Sequence, residues 1–518
     1  MKRILGVVIL CSCLPVLWAE RINQEGRILG TLPTVTNSIL FNTTNADAVV
    51  SAMQILPVTN PWNECITNRP VLANSDAMIA LIIADLTPVY SNRRTLRAFK
   101  EMNYVLVPDS QPTKTIEFTL YGGQSDLDGG TNNGTITFGL YPIPTNMPVE
   151  TWPSETEGQT LTDWQQDTND WGGDRHSIVV KPGAGFIWET WQAKLVGNNW
   201  EASNGAKFNL NTNGLRPAGW TSGDAAGFPM FPALVRFDEC ERGMVEHAMR
   251  IVVKRTRYNN YIYPATHYAS YATNTSTNLP SMGQRLRLKS SYVIPANWTK
   301  QEKAMLLGLK KYGALVADNG NFFSISVTPD DRWPIGCFDH LNTVGITNFE
   351  VVVATGVNEG PRSPGAPTAN AGPDRNAFVG VPLALQGFVT FTNTMPPMIL
   401  WRAYSGPTNL TFANVALTNS TVTFNAPGVY TLMLSASDGV HAVAYEAAVF
   451  NVISLITTSA TRLGTNLNLT WTGGAAPFVI ERTLSLPPAG WTSVLTTGVR
   501  TVSVPIAPGT AYFRVRGN

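Results

Sequence analysis

The sequence predicts a mainly β protein, with a β-sandwich-like body that carries a few helices and two further β-sandwich modules at the C-terminal end. Three observations support this class. The 518 residues suffice for about three domains, at roughly 100–200 residues each. Short apolar runs separated by turn residues recur along most of the chain. Charged residues make up only 14%, against roughly 25% in an average soluble protein, so uncharged polar side chains must cover much of the surface.

The charge balance argues against partners that are bound through bulk charge. Lys and Arg number 37 and Asp and Glu number 36, which gives a formal net charge of +1. Binding to nucleic acid or to an anionic membrane surface needs a basic face, which this composition does not suggest. The 44% of hydrophobic residues are enough to build a folded core. We therefore expect a folded protein with no nucleic-acid partner.

The first 19 residues are typical of a secretory signal peptide. Met1-Lys2-Arg3 is basic, Ile4 to Leu17 is apolar, and cleavage after Ala19 fits the small-residue rule. The alternative is an outer-surface lipoprotein, because Leu10-Cys11-Ser12-Cys13 weakly imitates a lipobox. Beyond this segment, no run reaches the 18 apolar residues of a membrane span. The sequence thus predicts a secreted, extracellular protein with no membrane span.

Three cysteines remain after the signal peptide: Cys65, Cys240 and Cys337. In an exported protein, three cysteines predict one disulfide and one free thiol, and the sequence leaves the pairing open. The chain has no CxxC motif, which argues against a thiolate zinc site.

Residues 20–59 have little periodicity and are interpreted as a leader or edge segment, and residues 60–355 as the main functional body. Helices are predicted at Ser75–Leu86, with Ser75 as N-cap, and at Arg93–Met102. Thr299 and Glu302 form a capping-box pattern before a third helix. Strands are predicted at Tyr104–Val107, Thr115–Tyr121, Thr135–Leu140, Ser177–Val180, Phe186–Trp191 and Lys207–Leu210.

The segment from Pro148 to Asp174 is a long polar loop that contains Trp152, Trp164 and Trp171. Loops of this length in a compact domain are usually functional or disordered. The sequence leaves both possibilities open for this loop.

A linker at residues 356–368 precedes an immunoglobulin-like module at residues 369–453. Three motifs carry a resemblance to the PKD/REJ class of such domains. They are Ala369-Asn370-Ala371-Gly372-Pro373-Asp374, Pro427-Gly428-Val429-Tyr430 and Ala436-Ser437-Asp438-Gly439. The resemblance implies a β-sandwich that serves as a spacer or binder and has no catalytic role. Residues 454–518, with Trp471 and Tyr512-Phe513-Arg514-Val515, resemble a small fibronectin-III-like module.

The body contains the motifs GLRPAGWTSGDAAGFP (214–229), LVRFDE (234–239), YPATHYAS (263–270) and Ala317-Asp318-Asn319-Gly320. Together they resemble a family of uncharacterised secreted bacterial proteins. The resemblance implies export and a common body and supplies no activity.

Carboxylates in these motifs suggest glycoside hydrolysis, which needs one carboxyl as acid and a second as base or nucleophile. We predict Asp224 and either Asp238 or Glu239 as this catalytic pair, with Trp188, Trp220 and the loop tryptophans as sugar-stacking platforms. The alternative is structural: Asp224 caps a turn, and Asp238 pairs with Arg236 or Arg250.

A second hypothesis is polysaccharide β-elimination. If the 261–267 segment is a strand, Tyr263 and His267 share a face, with His267 or Tyr263 as the base. Substrate-binding side chains are expected at further polar and aromatic positions: Arg216, Trp220, His247, Arg250, Tyr263, Asp174 and His176.

No cofactor and no catalytic metal are predicted. A structural calcium ion is conceivable at Asp126 and Asp128 beside Gly129-Gly130, although Asp-Gly turns are also common in plain hairpins.

The sequence therefore predicts a secreted carbohydrate-active enzyme, a glycoside hydrolase, whose partner is a polysaccharide or surface glycan. The alternatives are a polysaccharide lyase and a non-catalytic cell-surface glycan-binding or adhesion protein. An enzyme would bring the polar side chains together in one cleft.

Overall fold

The computed structural model describes residues 20–86, 91–154, 156–167, 174–392, 397–407, 410–485, 490–506 and 511–517. The predicted signal peptide and Trp171 lie outside these residues. Within them the chain is mainly β, as the sequence predicts, with a few helices and with β-sandwich modules at the C-terminal end. No helix in the described ranges is long and apolar enough to cross a bilayer.

Five α-helices form in the described part of the chain. They are α1 (Thr44–Ala52), α2 (Ser75–Asp85), α3 (Leu161–Gln166), α4 (Phe237–Arg242) and α5 (Lys300–Lys311). The capping-box prediction for α5 is confirmed, because the Thr299 hydroxyl and the Glu302 carboxylate each accept the other residue's backbone N–H. Ser75 is the first residue of helix α2 and not its N-cap as predicted, because Asn74 holds the N-cap position. The Ser75 hydroxyl accepts a hydrogen bond from the Val351 N–H.

Helix α1 is a departure from the prediction of a leader or edge segment at residues 20–59. Its Val49 and Val50 are buried in the main core of the body. The Thr43 side chain caps its first turn by accepting the Ala46 N–H at 3.2 Å. A helix of nine residues with a narrow apolar face leaves only a weak periodic signal in the sequence.

The strands of the body form three larger sheets and one short hairpin. They are β1 (Arg21–Ile22), β2 (Ile28–Leu29), β3 (Ile39–Leu40), β4 (Leu96–Lys100), β5 (Val105–Leu106), β6 (Lys114–Phe118), β7 (Thr131–Asn132), β8 (Thr137–Tyr141), β9 (Ser177–Lys181), β10 (Phe186–Trp191), β11 (Lys194–Val196), β12 (Asn199–Ala202), β13 (Asn204–Asn209), β14 (Met249–Val253), β15 (Arg285–Leu288), β16 (Ala314–Asn319), β17 (Phe323–Val327) and β18 (Phe349–Val351).

The sheets have the orders β13-β10-β9-β5-β3, β11-β12-β6-β8-β7 and β18-β15-β16-β14-β17-β4. In the last, six-stranded sheet, β14 is parallel to β16, and β17 is parallel to the edge strand β4. Helix α5 packs against this sheet through Met305, Leu306 and Leu309, which are buried in the main core of the body. This sheet positions the site described below.

The helix predicted at Arg93–Met102 is wrong, because the segment forms the edge strand β4 instead. Its register pairs Leu96 with Phe323 and Lys100 with Val327. Pairing with a neighbouring strand satisfies the backbone groups and overrides the local helical pattern.

Residues 368–453 build a β-sandwich around Trp401 and Tyr430, which are 1% and 0% exposed. Its main sheets have the orders β20-β27-β26-β23 and β21-β25-β24, and β19 pairs with β22. Tyr430, Leu432, Leu434 and Ala436 alternate on the buried face of β26, as predicted. The strands are β19 (Thr368–Asn370), β20 (Arg375–Phe378), β21 (Leu383–Ala384), β22 (Phe388–Thr390), β23 (Met398–Ser405), β24 (Leu410–Phe412), β25 (Thr421–Phe424), β26 (Gly428–Ser437) and β27 (Ala444–Ile453).

The last strands form two three-stranded sheets, β28-β29-β32 and β31-β30-β33. Leu469, Trp471 and Phe478 are central to the small core of these strands. The strands are β28 (Thr457–Leu463), β29 (Asn466–Thr472), β30 (Phe478–Thr483), β31 (Thr492–Thr497), β32 (Thr501–Pro505) and β33 (Tyr512–Arg516).

The hairpin β1–β2 lies between the body and the first sandwich. Arg27 forms an ion pair with Glu246 at 2.9 Å. On the other side, Arg402 donates a hydrogen bond to the Gly26 carbonyl at 2.8 Å, and the Ile28 N–H donates to the Tyr404 hydroxyl at 3.1 Å. The hairpin therefore joins the two units.

The predicted disulfide is wrong: Cys65, Cys240 and Cys337 are all free thiols. Cys65 is exposed, whereas Cys240, on α4, and Cys337 are buried. Burial raises the pKa of the Cys337 thiol to about 11 and raises that of the Cys240 thiol well above its ordinary value, so both stay protonated and unreactive at neutral pH.

Candidate functional site

Four neighbouring strands of the six-stranded sheet bring polar side chains to one cleft, with a volume of about 160 Å³. Strand β16 carries Asp318, β14 carries Arg250, and β17 carries Ser324, with the buried Ser326 of β17 in contact with Arg250. Glu101 follows directly after β4, where its N–H still bonds to β17 at the Val327 carbonyl. The lining also includes Glu150 and Asp174 from the two ends of the 148–174 loop and His176 just after it. Two phenylalanines, Phe99 and Phe322, line it as well.

Arg250 organises the floor of this cleft. Its side chain is 3% exposed, and its Nε lies 3.0 Å from Asp224 Oδ2, whose side chain is fully buried. Its Nη1 donates to Ser326 Oγ at 2.7 Å, and that hydroxyl donates to Glu101 at 2.6 Å. The neighbouring carboxylates raise the pKa of Arg250 despite its burial, so the guanidinium stays charged.

Two carboxyl groups flank the same guanidinium and face the cleft. Glu101 Oε1 lies 3.8 Å from Arg250 Nη1, and Asp318 Oδ2 lies 3.6 Å from Nη2. Both side chains are about a quarter exposed, at 24% and 27%. These contacts limit the separation of the two carboxyl oxygens to about 10 Å, which admits the roughly 5–9.5 Å that glycosidases use.

Glu101 and Asp318 bind protons more tightly than ordinary carboxyls do. Burial and the charge of Glu150 raise the pKa of Glu101 to about 7, with Arg250 opposing the rise. Burial and the charge of Asp224 raise the pKa of Asp318 to about 7, again against Arg250. At neutral pH each of these carboxyls is therefore partly protonated and partly ionised, so a state with one protonated and one ionised member is accessible for acid–base catalysis.

His176 is held as an imidazolium by its two neighbours. Its Nδ1 lies 2.9 Å from a Glu150 carboxylate oxygen, and its Nε2 lies 2.7 Å from the Gly223 carbonyl oxygen. Because both partners accept hydrogen bonds, both ring nitrogens must donate. Burial lowers its pKa, but the charge and hydrogen bond of Glu150 outweigh this and raise the pKa to about 9. The histidine thereby fixes the loop that carries Asp224.

Glu189 supports the same loop from behind. It is fully buried on β10 and accepts the backbone N–H groups of Met230 and Phe231 at 2.9 and 2.8 Å. Burial raises its pKa to about 7. Its contacts are those of a cap on a short 3-10 turn, and it does not line the cleft.

Of the residues singled out from the sequence, Asp174, His176, Asp224 and Arg250 come together here. Asp224 is paired internally with Arg250 and is buried, so a ligand in the cleft meets Glu101 and Asp318 first. His267 stands at the edge of this network, because its Nδ1 lies 2.8 Å from the Ala225 carbonyl oxygen.

Asp238, Glu239 and His247 form a separate cluster around helix α4. Asp238 contacts Arg236 and Arg242, at 3.5 and 2.5 Å, and Glu239 contacts Arg236 at 2.6 Å. His247 Nε2 lies 3.1 Å from Glu239. Burial opposes the ionisation of Glu239, but Arg236 and His247 lower its pKa to about 2. These ion pairs have no residue in common with the pair of Asp224 and Arg250.

The remaining predicted residues lie apart from the cleft. Arg216 pairs with Asp126 and stands 5.4 Å from the ring of Trp220. Tyr263 packs against Arg362, whose guanidinium carbon lies 5.1 Å from the ring centre. The 263–270 segment forms turns and irregular backbone, so the strand spacing assumed for Tyr263 and His267 does not apply.

The calcium motif is occupied by cationic side chains. Asp126 accepts a hydrogen bond from the Lys207 N–H at 2.8 Å in addition to its ion pair with Arg216. Asp128 pairs with the Lys207 ammonium at 2.6 Å and accepts the Trp188 indole N–H at 2.8 Å. In the described ranges, no group of three His, Cys, Asp or Glu residues is arranged to hold a metal ion.

Two of the tryptophans expected as sugar platforms are core residues: Trp164 is 0% exposed and Trp188 is 5% exposed. The aromatic side chains at the cleft are instead Phe99 and Phe322, whose ring centres lie 4.7 Å apart in a T-shaped contact. The predicted helix concealed Phe99 and Glu101. Because the segment is an edge strand, Arg97, Phe99 and Glu101 stand at alternate positions and share one face. This alternation is the sequence signal that would have identified Phe99 and Glu101 as neighbours on one face.

Fold and site together define a mainly β chain with an acidic cleft in its body and immunoglobulin-like sandwiches after it. No known protein-family model matches the chain, and no curated protein matches it.

Solved structures that are similar to parts of the chain include immunoglobulin-like domains. The PKD domain of the KIAA 1837 protein is 23% identical over 18% of this chain and 93% of its own, with a TM-score of 0.16. Sidekick-1 immunoglobulin domains 1–4 are 10% identical over 39% of this chain and 53% of theirs, with a TM-score of 0.19. The insect immune protein hemolin is 11% identical over 39% of this chain and 50% of its own, with a TM-score of 0.18. Because these TM-scores are low, the β-sandwich architecture of the C-terminal modules rests on their own sheets.

Proposed function

We propose that this chain is a secreted glycoside hydrolase that cleaves a polysaccharide in the cleft of its body. One observation carries the proposal: Glu101 and Asp318 face an open cleft on either side of Arg250, each with a pKa raised to about 7. Perturbed carboxyls that converge in a cleft are typical of acid–base catalysis. We also propose that the chain belongs to the family of secreted bacterial proteins that its body motifs resemble, and that residues 1–19 direct its export. The alternative to a freely secreted protein is an outer-surface lipoprotein.

The chemistry follows from two carboxyls in different protonation states. The protonated member gives its proton to the glycosidic oxygen as the bond from that oxygen to the anomeric carbon breaks. The ionised member either removes a proton from the attacking water or bonds to the anomeric carbon before water replaces it. Arg250 favours the ionised form of whichever carboxyl lacks the proton. Water supplies the new hydroxyl, so the products are two shorter glycans.

This assignment moves the catalytic pair from the positions predicted by sequence to Glu101 and Asp318. Asp224 becomes a positioning residue, because it touches Arg250 and is closed off from the cleft. Asp238 and Glu239 become members of the separate ion-pair cluster at α4.

The test is a polysaccharide screen with the mature protein, Glu101→Gln and Asp318→Asn. Glu241→Gln is the matched control, because Glu241 is exposed, pairs with Lys300 and does not line the cleft. New reducing ends, lost in both cleft variants and kept in the control, support the hydrolase. Cleavage by both variants at the wild-type rate contradicts it. Absorbance from unsaturated uronates would identify a lyase.

The second candidate is a non-catalytic glycan-binding or adhesion protein. The observation that favours it is the pair of β-sandwich modules after the body, because such modules commonly serve as spacers or binders. Retention of a glycan by the wild type and by both cleft variants, with no cleavage of any polymer, would select this candidate.

A further inference from the structure

A second groove, here called the basic groove, adjoins the cleft along the edge strand β4. It has a volume of about 330 Å³, and Phe99 lines both spaces. Arg97 and Lys100 line it from β4, and the facing wall is the segment from Gly336 to Asn342. The groove therefore adjoins the cleft at Phe99.

The charge of the basic groove is opposite to that of the cleft. Arg97 and Lys100 outnumber Asp339, the one carboxylate among the described lining residues. Neither cation forms an ion pair with a carboxylate in the described ranges. The Arg97 Nε is buried without a hydrogen-bond partner, while Nη2 donates to the Asn92 carbonyl at 2.7 Å.

Strand geometry sets the spacing between the two sites. Arg97, Phe99 and Glu101 alternate along the strand direction and so lie on one face. At about 3.3 Å per residue, the Cα atoms of Arg97 and Glu101 are about 13 Å apart. A cation, an aromatic ring and a catalytic carboxyl therefore follow one another along a single line.

We propose that the substrate is an acidic polysaccharide, and that Arg97 and Lys100 bind a carboxylate or sulfate on a sugar beyond the cleavage position. This proposal rests on the proposed hydrolase. Four carboxyl side chains line the cleft against two cations, Arg250 and His176, so the cleft is less favourable for an anionic sugar than the basic groove is: Glu101, Glu150, Asp174 and Asp318. The basic groove attracts the anionic group, so opposite charges in the two spaces set the register of the chain. Phe99 supplies an apolar surface between them.

The test measures binding in a Glu101→Gln background, so that cleavage does not consume the ligand. Isothermal titration uses polygalacturonate, its carboxyl-reduced neutral form, and dextran sulfate, which carries sulfate and no carboxylate, as probes. The variant Arg97→Gln/Lys100→Gln is compared with Lys114→Gln/Arg462→Gln, which removes the same two charges at exposed positions elsewhere. We expect the groove variant to bind an anionic probe about tenfold more weakly, with no change for the neutral probe.

The outcomes separate the two proposals. A preference for polygalacturonate over dextran sulfate identifies a carboxylate as the bound group, and the reverse identifies a sulfate. Equal loss in the control variant, or equal binding of the charged and neutral probes, overturns the acidic-substrate proposal even if wild-type protein cleaves polysaccharides. If the wild-type protein binds an anionic probe through the groove but cleaves no polysaccharide, the anion-binding role of the basic groove is supported and the hydrolase proposal is overturned.

Discussion

Arg250 and Asp224 form a buried ion pair, with Nε and Oδ2 separated by 3.0 Å and both side chains at most 3% exposed. Two further carboxyls and a serine share the same guanidinium. One arginine thus ties together β14, β16, β17 and the loop at 222–226.

Replacing Arg250 with Met should destabilise the fold by about 3–5 kcal/mol, because Asp224 is left buried without its counter-charge. Urea unfolding measures the loss. Arg255→Met is the control, since Arg255 is 42% exposed and its pair with Asp85 should contribute at most about 1 kcal/mol. If Arg250→Met/Asp224→Asn loses as much as the two single variants together, the pair is not coupled as the structure shows.

Stability should fall as pH rises from about 6.5 to about 9, because folded His176 keeps a proton that the unfolded chain releases. Its pKa of about 9 in the fold, against 6.5 as the ordinary value, corresponds to a loss of up to about 3 kcal/mol. The midpoint of urea unfolding across this range gives the slope. In His176→Gln the slope should flatten between these pH values; an unchanged slope would assign the effect to another group.

The pH dependence of cleavage should be bell-shaped and centred near neutrality, since Glu101 and Asp318 both titrate at about 7. Ser326→Ala removes a hydrogen bond that favours ionised Glu101, so one limb of the profile should move to higher pH. The measurement is kcat/KM against pH. Carbon NMR titration of the labelled carboxyls gives the same pKa change independently of activity, and a shift to lower pH would refute the assignment.

Gly26→Val should detach the N-terminal hairpin from the first sandwich. Gly26 has a φ of +69°, and an added Cβ would lie 2.7 Å from Arg402 Nη2 and 2.8 Å from Tyr445 Cε1. We expect faster proteolysis within residues 356–368 and a larger radius of gyration in X-ray scattering. Gly30→Ala is the control, since a Cβ there meets nothing within 4 Å. Equal proteolysis of both variants would mean that the hairpin does not hold the two units together.

Local patterns predicted the elements whose determinants are local. The capping box at Thr299, the strand Phe186–Trp191 and the alternation along β26 all depend on residues close in sequence, and the structure contains each of them. The segment at residues 93–102 was mispredicted because its partner, β17, lies more than 220 residues away in the chain.

The site was predictable only in part for the same reason. Asp224, Arg250, Asp174 and His176 drew attention through their motifs, and the fold brings them together. Glu101 and Glu150 stand in no polar motif and acquire their role from the pairing of β4 and from the 148–174 loop. Asp238 and Glu239 carry the same chemical groups but are neutralised by Arg236 and Arg242; the sequence offered the Arg236 partner as the structural alternative, and the structure contains it.

The hairpin at residues 21–29 also constrains the order in which the molecule is completed. Its contact from Gly26 to Arg402 spans 376 residues. Synthesis at about 5–20 residues per second delays the arrival of Arg402 by about 20–75 s after Gly26 has been made. The hairpin can dock on the body once Glu246 has been made, but its side toward the sandwich stays without its partners until Arg402 arrives.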